Sequence, residues 1–260
     1  FVEADERPRR SVIFLAVTAE EQGLLGSKHY GENPLYPPAQ TVAAINMDVL
    51  NQWGRTRDLT IVGLGQSTLD QVAAEVGDRL GRTLSPDPEP EKGFYYRSDH
   101  FSFAKAGIPA FYADPGVEYL DKPEGYGLEK RNQYTAEDYH KTSDEVKPDW
   151  DLAGALDDLT FMYHLGARLA STDEWPVWNA TSEFRAVREE QARRARHQEP
   201  GEELALVGLH EAVERQRVLP DHLQRADLEV VGRRLGQPLQ DGERNLHLID
   251  HAPGRLHLDV

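Results

Sequence analysis

Residues 11–27 join a short apolar run to two adjacent carboxylates. Residues 12–17 have the length and β-branched content of a fully buried strand, and Glu20 and Glu21 follow it, before glycines that open a helix. Such a strand-to-helix unit is typical of open α/β sheets, whose active sites lie at the carboxyl ends of strands. Because neighbouring carboxylates repel each other and lose water there, they indicate a compensating cation, usually a metal. Taken alone, the pair also fits a surface loop at a helix N-terminus.

Three further segments strengthen the metal interpretation. Residues 41–48 read as a second apolar strand, which also ends in a carboxylate, Asp48. Residues 93–103, Gly-Phe-Tyr-Tyr-Arg-Ser-Asp-His-Phe-Ser-Phe, lead into a short apolar strand after a glycine turn. His140 lies in a polar loop just before a helical stretch over residues 150–169. Two successive strands that end in acids, with a histidine available, predict a site with oxygen and nitrogen ligands.

These four segments, in this order and spacing, resemble the zinc aminopeptidase family that also includes glutamate carboxypeptidase II and glutaminyl cyclase. The similarity extends over residues 10–190. It implies an α/β fold in which a mixed, largely parallel sheet is flanked by helices, as in the zinc exopeptidases.

The resemblance implies a role for each residue of the metal centre. Glu20 corresponds to the family's general base, and Glu21, Asp48 and His140 correspond to metal ligands. The family arrangement implies two zinc ions, about 3.5 to 4 Å apart, bound through nitrogen and oxygen. Glu20 would take a proton from the attacking water and pass it to the leaving amine.

The resemblance also implies a substrate side of the site. Tyr95 aligns with the family's carbonyl-polarising tyrosine, Tyr96 competes for that role, and Ser98 and His100 belong to the substrate-binding wall. Ser98, Asp99 and His100 are the residue types of a serine hydrolase triad, but consecutive residues cannot meet in triad geometry. The aromatic side chains predicted to form a wall for apolar substrate groups are Phe94, Tyr95, Tyr96, Phe101 and Tyr112.

The chain departs from the family pattern before residue 11. The family has a ligand histidine and a metal-bridging aspartate upstream of the Glu-Glu strand, and the acids here, Glu3, Asp5 and Glu6, lack a histidine partner. This departure predicts a fragment of a longer enzyme, with a fold that is incomplete at its N-terminus. Such a fragment would expose sheet edge and helix-facing surface, so we expect poor solubility or alternative strand pairing.

The composition changes towards the C-terminus. All seven lysines lie at or before Lys147, whereas six of the ten histidines lie at or after His197. We therefore assign residues 1–190 to the peptidase domain and leave residues 191–260 unassigned. Two short amphipathic helices, a histidine-rich metal tail, a weakly ordered tail and a shifted reading frame are the interpretations open for that segment.

The function that follows is a zinc-dependent exopeptidase, an aminopeptidase that removes N-terminal residues from peptides. An acidic pocket suits the free α-amino group of such a substrate. Two alternatives stay open: a glutaminyl-cyclase-like acyltransferase with one zinc, and an inactive fragment or binding module of the same fold.

Composition and charge limit the partners. The formal charge of −16 argues against nucleic-acid binding, because phosphate contacts need a basic face. No apolar run approaches the roughly 20 residues of a membrane span. A peptide substrate is the expected partner, and the resemblance to exported bacterial enzymes suggests a periplasmic or extracellular location.

Overall fold

A four-stranded mixed sheet lies at the centre of the computed structural model, which describes residues 1 and 7–197. Its strands are β1 (Ala44–Asn46), β2 (Asp58–Ile61), β3 (Thr83–Pro86) and β4 (Ala110–Pro115), in the order β1-β4-β2-β3. The pairs β1–β4 and β2–β3 are parallel, and β2–β4 is antiparallel. The predicted fold class, a mixed and largely parallel sheet with helices around it, is therefore confirmed.

Six α-helices accompany the sheet in the described part of the chain. They are α1 (Leu25–Glu32), α2 (Leu69–Leu80), α3 (His100–Lys105), α4 (Tyr126–Glu137), α5 (Ala153–Ser171) and α6 (Arg185–His197). The long α5 is the helix expected over residues 150–169. The domain boundary predicted at residue 190 falls inside α6, and the assignment of residues 1–190 to the peptidase domain stays a prediction. The interpretations offered for the tail concern mainly residues 198–260, which lie outside the described range.

The main core forms where α2 and α5 pack on the sheet. Leu59, Phe111, Phe161 and Leu165 are almost completely buried there, and the rings of Phe111 and Phe161 stack 6.1 Å apart. Fully buried apolar side chains of this size each contribute about 1.5 to 3 kcal/mol. This core fixes the sheet on which the candidate site is built.

The strand predicted over residues 12–17 is wrong. Residues 11–19 belong to no strand or helix, and Phe14 is 76% exposed. A strand requires a hydrogen-bonded neighbouring strand, and within residues 1 and 7–197 the strands pair only among β1 to β4. The apolar composition of residues 12–17 therefore does not by itself make a strand.

Helix α5 presents an exposed apolar stripe. Leu152, just before its first turn, and Leu156, Leu159 and Tyr163 recur at intervals of four, three and four residues, and each is at least 40% exposed. Exposed apolar surface of this kind favours association. The poor solubility expected from the sequence stays a prediction. Within residues 1 and 7–197, no helix combines the length and apolar character needed to cross a membrane.

Candidate active-site cleft

A cleft of about 150 Å³ opens at the carboxyl ends of β1 and β4. Because these two strands are parallel and adjacent, their carboxyl ends meet at the same edge of the sheet. The volume is on the order of that which holds a benzene ring in an engineered cavity, so the cleft suits a single side chain. Its rim is acidic and its walls are largely aromatic. The residues that line it include Glu20, Glu21, Asp48, Trp53, Phe94, Arg97, Ser98, Tyr112, Asp114, Tyr119, Arg131, Tyr134 and Tyr139.

The Glu-Glu pair lies on a strained turn. A single 3₁₀ turn, Glu20–Gln22, is flanked by Ala19 with φ of 56° and Leu24 with φ of 60°. Residues other than glycine avoid this left-handed region, and each instance costs about 1 to 3 kcal/mol. Such strain is concentrated at functional sites, and here it directs the two carboxylates to the cleft.

Glu21 and His140 are in direct contact. The Nε2 atom of His140 lies 2.9 Å from Oε2 of Glu21, although the two residues are far apart in sequence. His140 has φ of 59°, and its ring stacks on Tyr139 with centroids 3.8 Å apart. Two of the predicted ligands are thus brought together, by a loop that adopts the same unusual backbone region.

Asp48 is oriented by a short hydrogen-bond chain. The Asn46 amide donates to Ser98 Oγ at 2.9 Å, and the Ser98 hydroxyl donates to Asp48 Oδ2 at 2.8 Å. Ser98 is 3% exposed, so its hydroxyl holds a carboxylate at the strand end. The predicted contact of Ser98 with the substrate would use the same hydroxyl group that donates to Asp48.

Glu20 has a raised pKa. Burial is the largest cause, and the negative charges of Asp48, Glu21 and Asp99 add to it, while His140 opposes it. The carboxylates therefore converge closely enough to disfavour one another's charge. A carboxyl with a pKa raised in this way is better matched to proton transfer near neutral pH.

The donor set suits zinc only in part. Glu21 and His140 offer the oxygen and nitrogen ligands that zinc prefers, and Asp48 lines the same cleft. Among residues 1 and 7–197, however, no three His, Asp or Glu side chains are arranged to hold a metal ion. Of the three predicted ligands, Glu21 and His140 are therefore in contact, and Asp48 lines the same cleft as Glu21.

Tyr95, Tyr96 and His100 lie outside the cleft lining. The Tyr95 ring packs against His100 and Phe184, with centroids 4.8 and 6.0 Å away. The Tyr96 hydroxyl donates to Glu183 at 3.2 Å. His100 is 1% exposed, and burial lowers its pKa to about 4. The structure thus does not bring these three predicted residues to the acidic rim.

The local helix type explains which aromatic residues reach the cleft. Residues Phe94–Tyr96 form a 3₁₀ turn, in which positions three apart share a face. Phe94 and Arg97 accordingly line the cleft, whereas the two tyrosines between them point elsewhere. Of the predicted aromatic wall, Phe94 and Tyr112 line the cleft, and Phe101 packs with Tyr95 and Phe184 instead.

Sequence reasoning missed several lining residues, among them Asp114, Arg131, Tyr134 and Tyr139. Asp114 lies near the end of the apolar strand β4, so the pattern that selected Asp48 could also have selected it. Tyr139 directly precedes the predicted ligand His140. Arg131 and Tyr134 lie within α4, where no motif distinguishes them.

Asn51 holds together the wall of the cleft. This residue is completely buried, and its Nδ2 donates to Gly54 O at 2.7 Å. Its Oδ1 accepts from Trp53 N at 3.0 Å and from the Tyr119 hydroxyl at 3.1 Å. One side chain thus fixes two aromatic lining residues and the loop that follows Asp48.

The chain matches one family model and is similar to several solved aminopeptidase structures. The model of Peptidase family M28 matches residues 1–164. The LapA aminopeptidase of Legionella pneumophila is 18% identical, with a TM-score of 0.48, over 66% of this chain and 43% of that one. An aminopeptidase from Aneurinibacillus sp. strain AM-1 is 19% identical, with a TM-score of 0.40, over 61% and 33%. BSAP, a zinc aminopeptidase from Bacillus subtilis, is 20% identical, with a TM-score of 0.33, over 65% and 36%. The chain spans less than half the length of each of these solved structures.

Proposed function

Since the chain belongs to Peptidase family M28, we propose that it acts as, or as part of, a zinc-dependent aminopeptidase that hydrolyses N-terminal peptide bonds. The observation that carries the proposal is the 2.9 Å contact of Glu21 with His140, beside Glu20 on the same strained turn. Export to the periplasm or the medium belongs to the same proposal, and the expected partner is a peptide.

Glu21 and His140 are the residues proposed to hold zinc. Asp48 would complete the set through its free oxygen or serve a second ion, because Ser98 occupies only Oδ2. Zinc in such a site polarises the scissile carbonyl and lowers the pKa of a water molecule. The number of ions is part of the proposal.

Glu20 is the proposed general base. It lines the cleft beside Glu21, the residue that pairs with His140, and its raised pKa favours proton exchange near neutral pH. In this role it takes the proton of the attacking water and returns it to the leaving amine. General acid–base catalysis of this kind contributes about 10²- to 10⁴-fold.

The acidic rim supports the choice of an aminopeptidase. Glu20, Glu21 and Asp48 all face the cleft and supply negative charge for a protonated α-amino group. A carboxypeptidase would bring a carboxylate to the same place, where these charges would repel it.

Two tyrosines compete as the donor to the carbonyl oxygen. The resemblance assigns this role to Tyr95, whereas Tyr139 is the tyrosine that lines the cleft beside His140. A donor of this type contributes a few kcal/mol to the transition state, about 3 to 4 in the best-studied cases.

The test measures zinc content after chelator-free purification, together with hydrolysis of a leucine chromogenic amide in the presence of added zinc. Wild type, Glu20→Gln, His140→Ala and the surface control Glu32→Gln are compared. We expect Glu20→Gln to retain zinc and to lose at least about 10²-fold in activity. His140→Ala should lose zinc, and the control should match wild type. Undiminished activity in Glu20→Gln would refute the base, and hydrolysis independent of zinc would refute the mechanism.

A further inference from the structure

The loop that follows α4 carries His140 and buries little of its own surface. Residues 138–149 form neither helix nor strand, and every residue from 140 to 149 is exposed. His140 has φ of 59°, a strained conformation that persists only where the surrounding structure holds it. Polar contacts, rather than a hydrophobic core, must therefore keep this loop in the conformation that brings His140 to Glu21.

Tyr134, in the last turn of α4, binds this loop in three ways. Its carbonyl oxygen accepts hydrogen bonds from the backbone N–H groups of Asp138 and Tyr139, both at 2.9 Å. Its ring lies beside that of Tyr139, with centroids 6.1 Å apart. Its hydroxyl donates to Oδ2 of Asp144 at 2.7 Å, although the two residues are ten positions apart. This last bond closes the loop around His140.

The bond from Tyr134 to Asp144 is of a strong type. A distance of 2.7 Å is typical of a hydroxyl that donates to a charged carboxylate, and such bonds are about twice as strong as neutral ones. Burial raises the pKa of Tyr134, and the hydrogen bond and charge of Asp144 raise it further, so the hydroxyl stays protonated and remains a donor. Lys141 and Ser143 also bind α4, through carbonyl oxygens at its exposed C-terminus.

Tyr134 is itself attached to the wall of the cleft. Its ring makes an edge contact with that of Trp53, with centroids 5.6 Å apart, and both residues line the cleft. The backbone N–H of Trp53 is in turn held by the buried Asn51. On the other side, the Tyr139 ring stacks on His140 with centroids 3.8 Å apart. A row of ring contacts thus joins the fixed wall to the His140 ring.

We propose that Tyr134 is a positioning residue for His140, because through Asp144 it holds the loop of residues 138–149 in the conformation that brings His140 to Glu21. The inference rests on the proposed function where it concerns zinc, since Glu21 and His140 are the residues proposed to bind the metal. In this role Tyr134 acts through the loop and not on the substrate.

Hydrogen exchange of the metal-free full chain tests the hold on the loop. Four backbone N–H groups donate to carbonyl oxygens of the loop or of Tyr134, so their exchange reports its opening; they belong to Asp138, Tyr139, Lys141 and Asp144. Tyr134→Phe keeps the ring and removes the hydroxyl. It should speed exchange of these groups about 3- to 10-fold, the effect of one lost hydrogen bond. Asp144→Ala removes the other partner and should have the same effect.

The same measurement reports on the contact with Glu21. The N–H groups of Gln22 and Gly23 donate to carbonyl oxygens within the Glu-Glu turn. If Tyr134 positions His140 against Glu21, these two groups should also exchange faster in Tyr134→Phe. Exchange in α5, which is distant in sequence and packed on the core, should stay unchanged.

Zinc affinity tests the consequence for the metal ligands. In competition with a chromophoric chelator, Tyr134→Phe and Asp144→Ala should each bind zinc about 10-fold more weakly than wild type, as expected when a partner that orients a ligand is removed. The double variant should be no weaker than either single one, because both changes remove the same bond. Tyr163→Phe, on the exposed face of α5, is the matched control and should bind zinc like wild type. Equal urea midpoints for all these proteins would separate positioning from a general loss of structure.

Each result has a distinct meaning. Unchanged exchange of the loop in Tyr134→Phe, or faster exchange with unchanged zinc affinity, would overturn the inference. Additive losses of zinc affinity in the double variant would overturn the path through Asp144. A wild type that binds no zinc would count against the proposed function. The exchange rates of the loop and of Gln22 and Gly23 in the metal-free chain would then decide the inference.

Discussion

Replacement of Asn51 by alanine should loosen the cleft wall and lower the stability of the whole domain. Three hydrogen bonds, of 2.7, 3.0 and 3.1 Å, end on this fully buried side chain. A buried hydrogen bond contributes about 0.5 to 1.5 kcal/mol net, so Asn51→Ala should reduce the free energy of unfolding by about 2 to 4 kcal/mol. That loss is a large share of the roughly 5 to 15 kcal/mol that keeps a typical domain folded.

Tyr119→Phe provides a matched comparison, because it removes only one of the three bonds. It should cost about 1 kcal/mol. Asn51→Ala already breaks this bond and leaves the Tyr119 hydroxyl without its acceptor. Adding Tyr119→Phe to Asn51→Ala should therefore cost little or restore some stability, which gives a coupling free energy of about 1 kcal/mol.

The assay is urea denaturation followed by tryptophan fluorescence, with one shared denaturant slope for all four proteins. Binding of leucinol, measured in parallel, should weaken in Asn51→Ala, because Trp53 and Tyr119 lose their common anchor. A loss below about 1 kcal/mol in Asn51→Ala, or strict additivity of the two changes, would refute this reasoning.

Three further predictions concern the cleft and the surface. Asp99→Asn removes one of the charges that raise the pKa of Glu20. Because Glu20 acts as a base only when ionised, the rising limb of kcat/KM against pH should move to lower pH. A limb that does not move would contradict the assignment of Glu20 as the general base. Tyr139→Phe should lower kcat by about 10²-fold with little change in KM, whereas a larger loss in Tyr95→Phe would favour the donor that the resemblance assigns. Leu156→Lys on the exposed stripe of α5 should raise the protein concentration that stays in solution after centrifugation, with a change in unfolding free energy within about 0.5 kcal/mol. An unchanged soluble concentration would show that the stripe does not cause the expected poor solubility.

Two of the four strands, β1 and β4, were predictable because their signals are local. The apolar runs before Asp48 and Asp114 both form strands, as expected, whereas β2 and β3 were not predicted. Residues 12–17 show the limit of that reasoning, because strand propensity describes a residue's fit to a pleated surface, while a strand also needs a partner. No local pattern records which segment lies alongside another.

The candidate site was predictable to the same extent. Strand ends and the resemblance single out Glu20, Glu21, Asp48 and His140, whose roles stay a prediction. The structure places the first three in the lining of one cleft, with His140 against Glu21. The direction of neighbouring tyrosines depends on whether residues 94–96 adopt an extended, α or 3₁₀ conformation, and sequence periodicity cannot resolve a three-residue turn. Cleft-lining side chains that come from the middle of a helix are likewise placed by packing alone.

Backbone strain adds an argument that sequence could not supply. Ala19, Leu24 and His140 are the non-glycine residues with positive φ in the described part of the chain, and all three lie on the two segments that meet at the Glu21–His140 contact. Each costs about 1 to 3 kcal/mol. The contact itself is about half exposed and contributes at most about 1 kcal/mol, which does not offset the strain on either side. A ligand that bound Glu21 and His140 together would supply the missing free energy, so the strain and the chemistry of the donor pair point independently to the same place on the cleft.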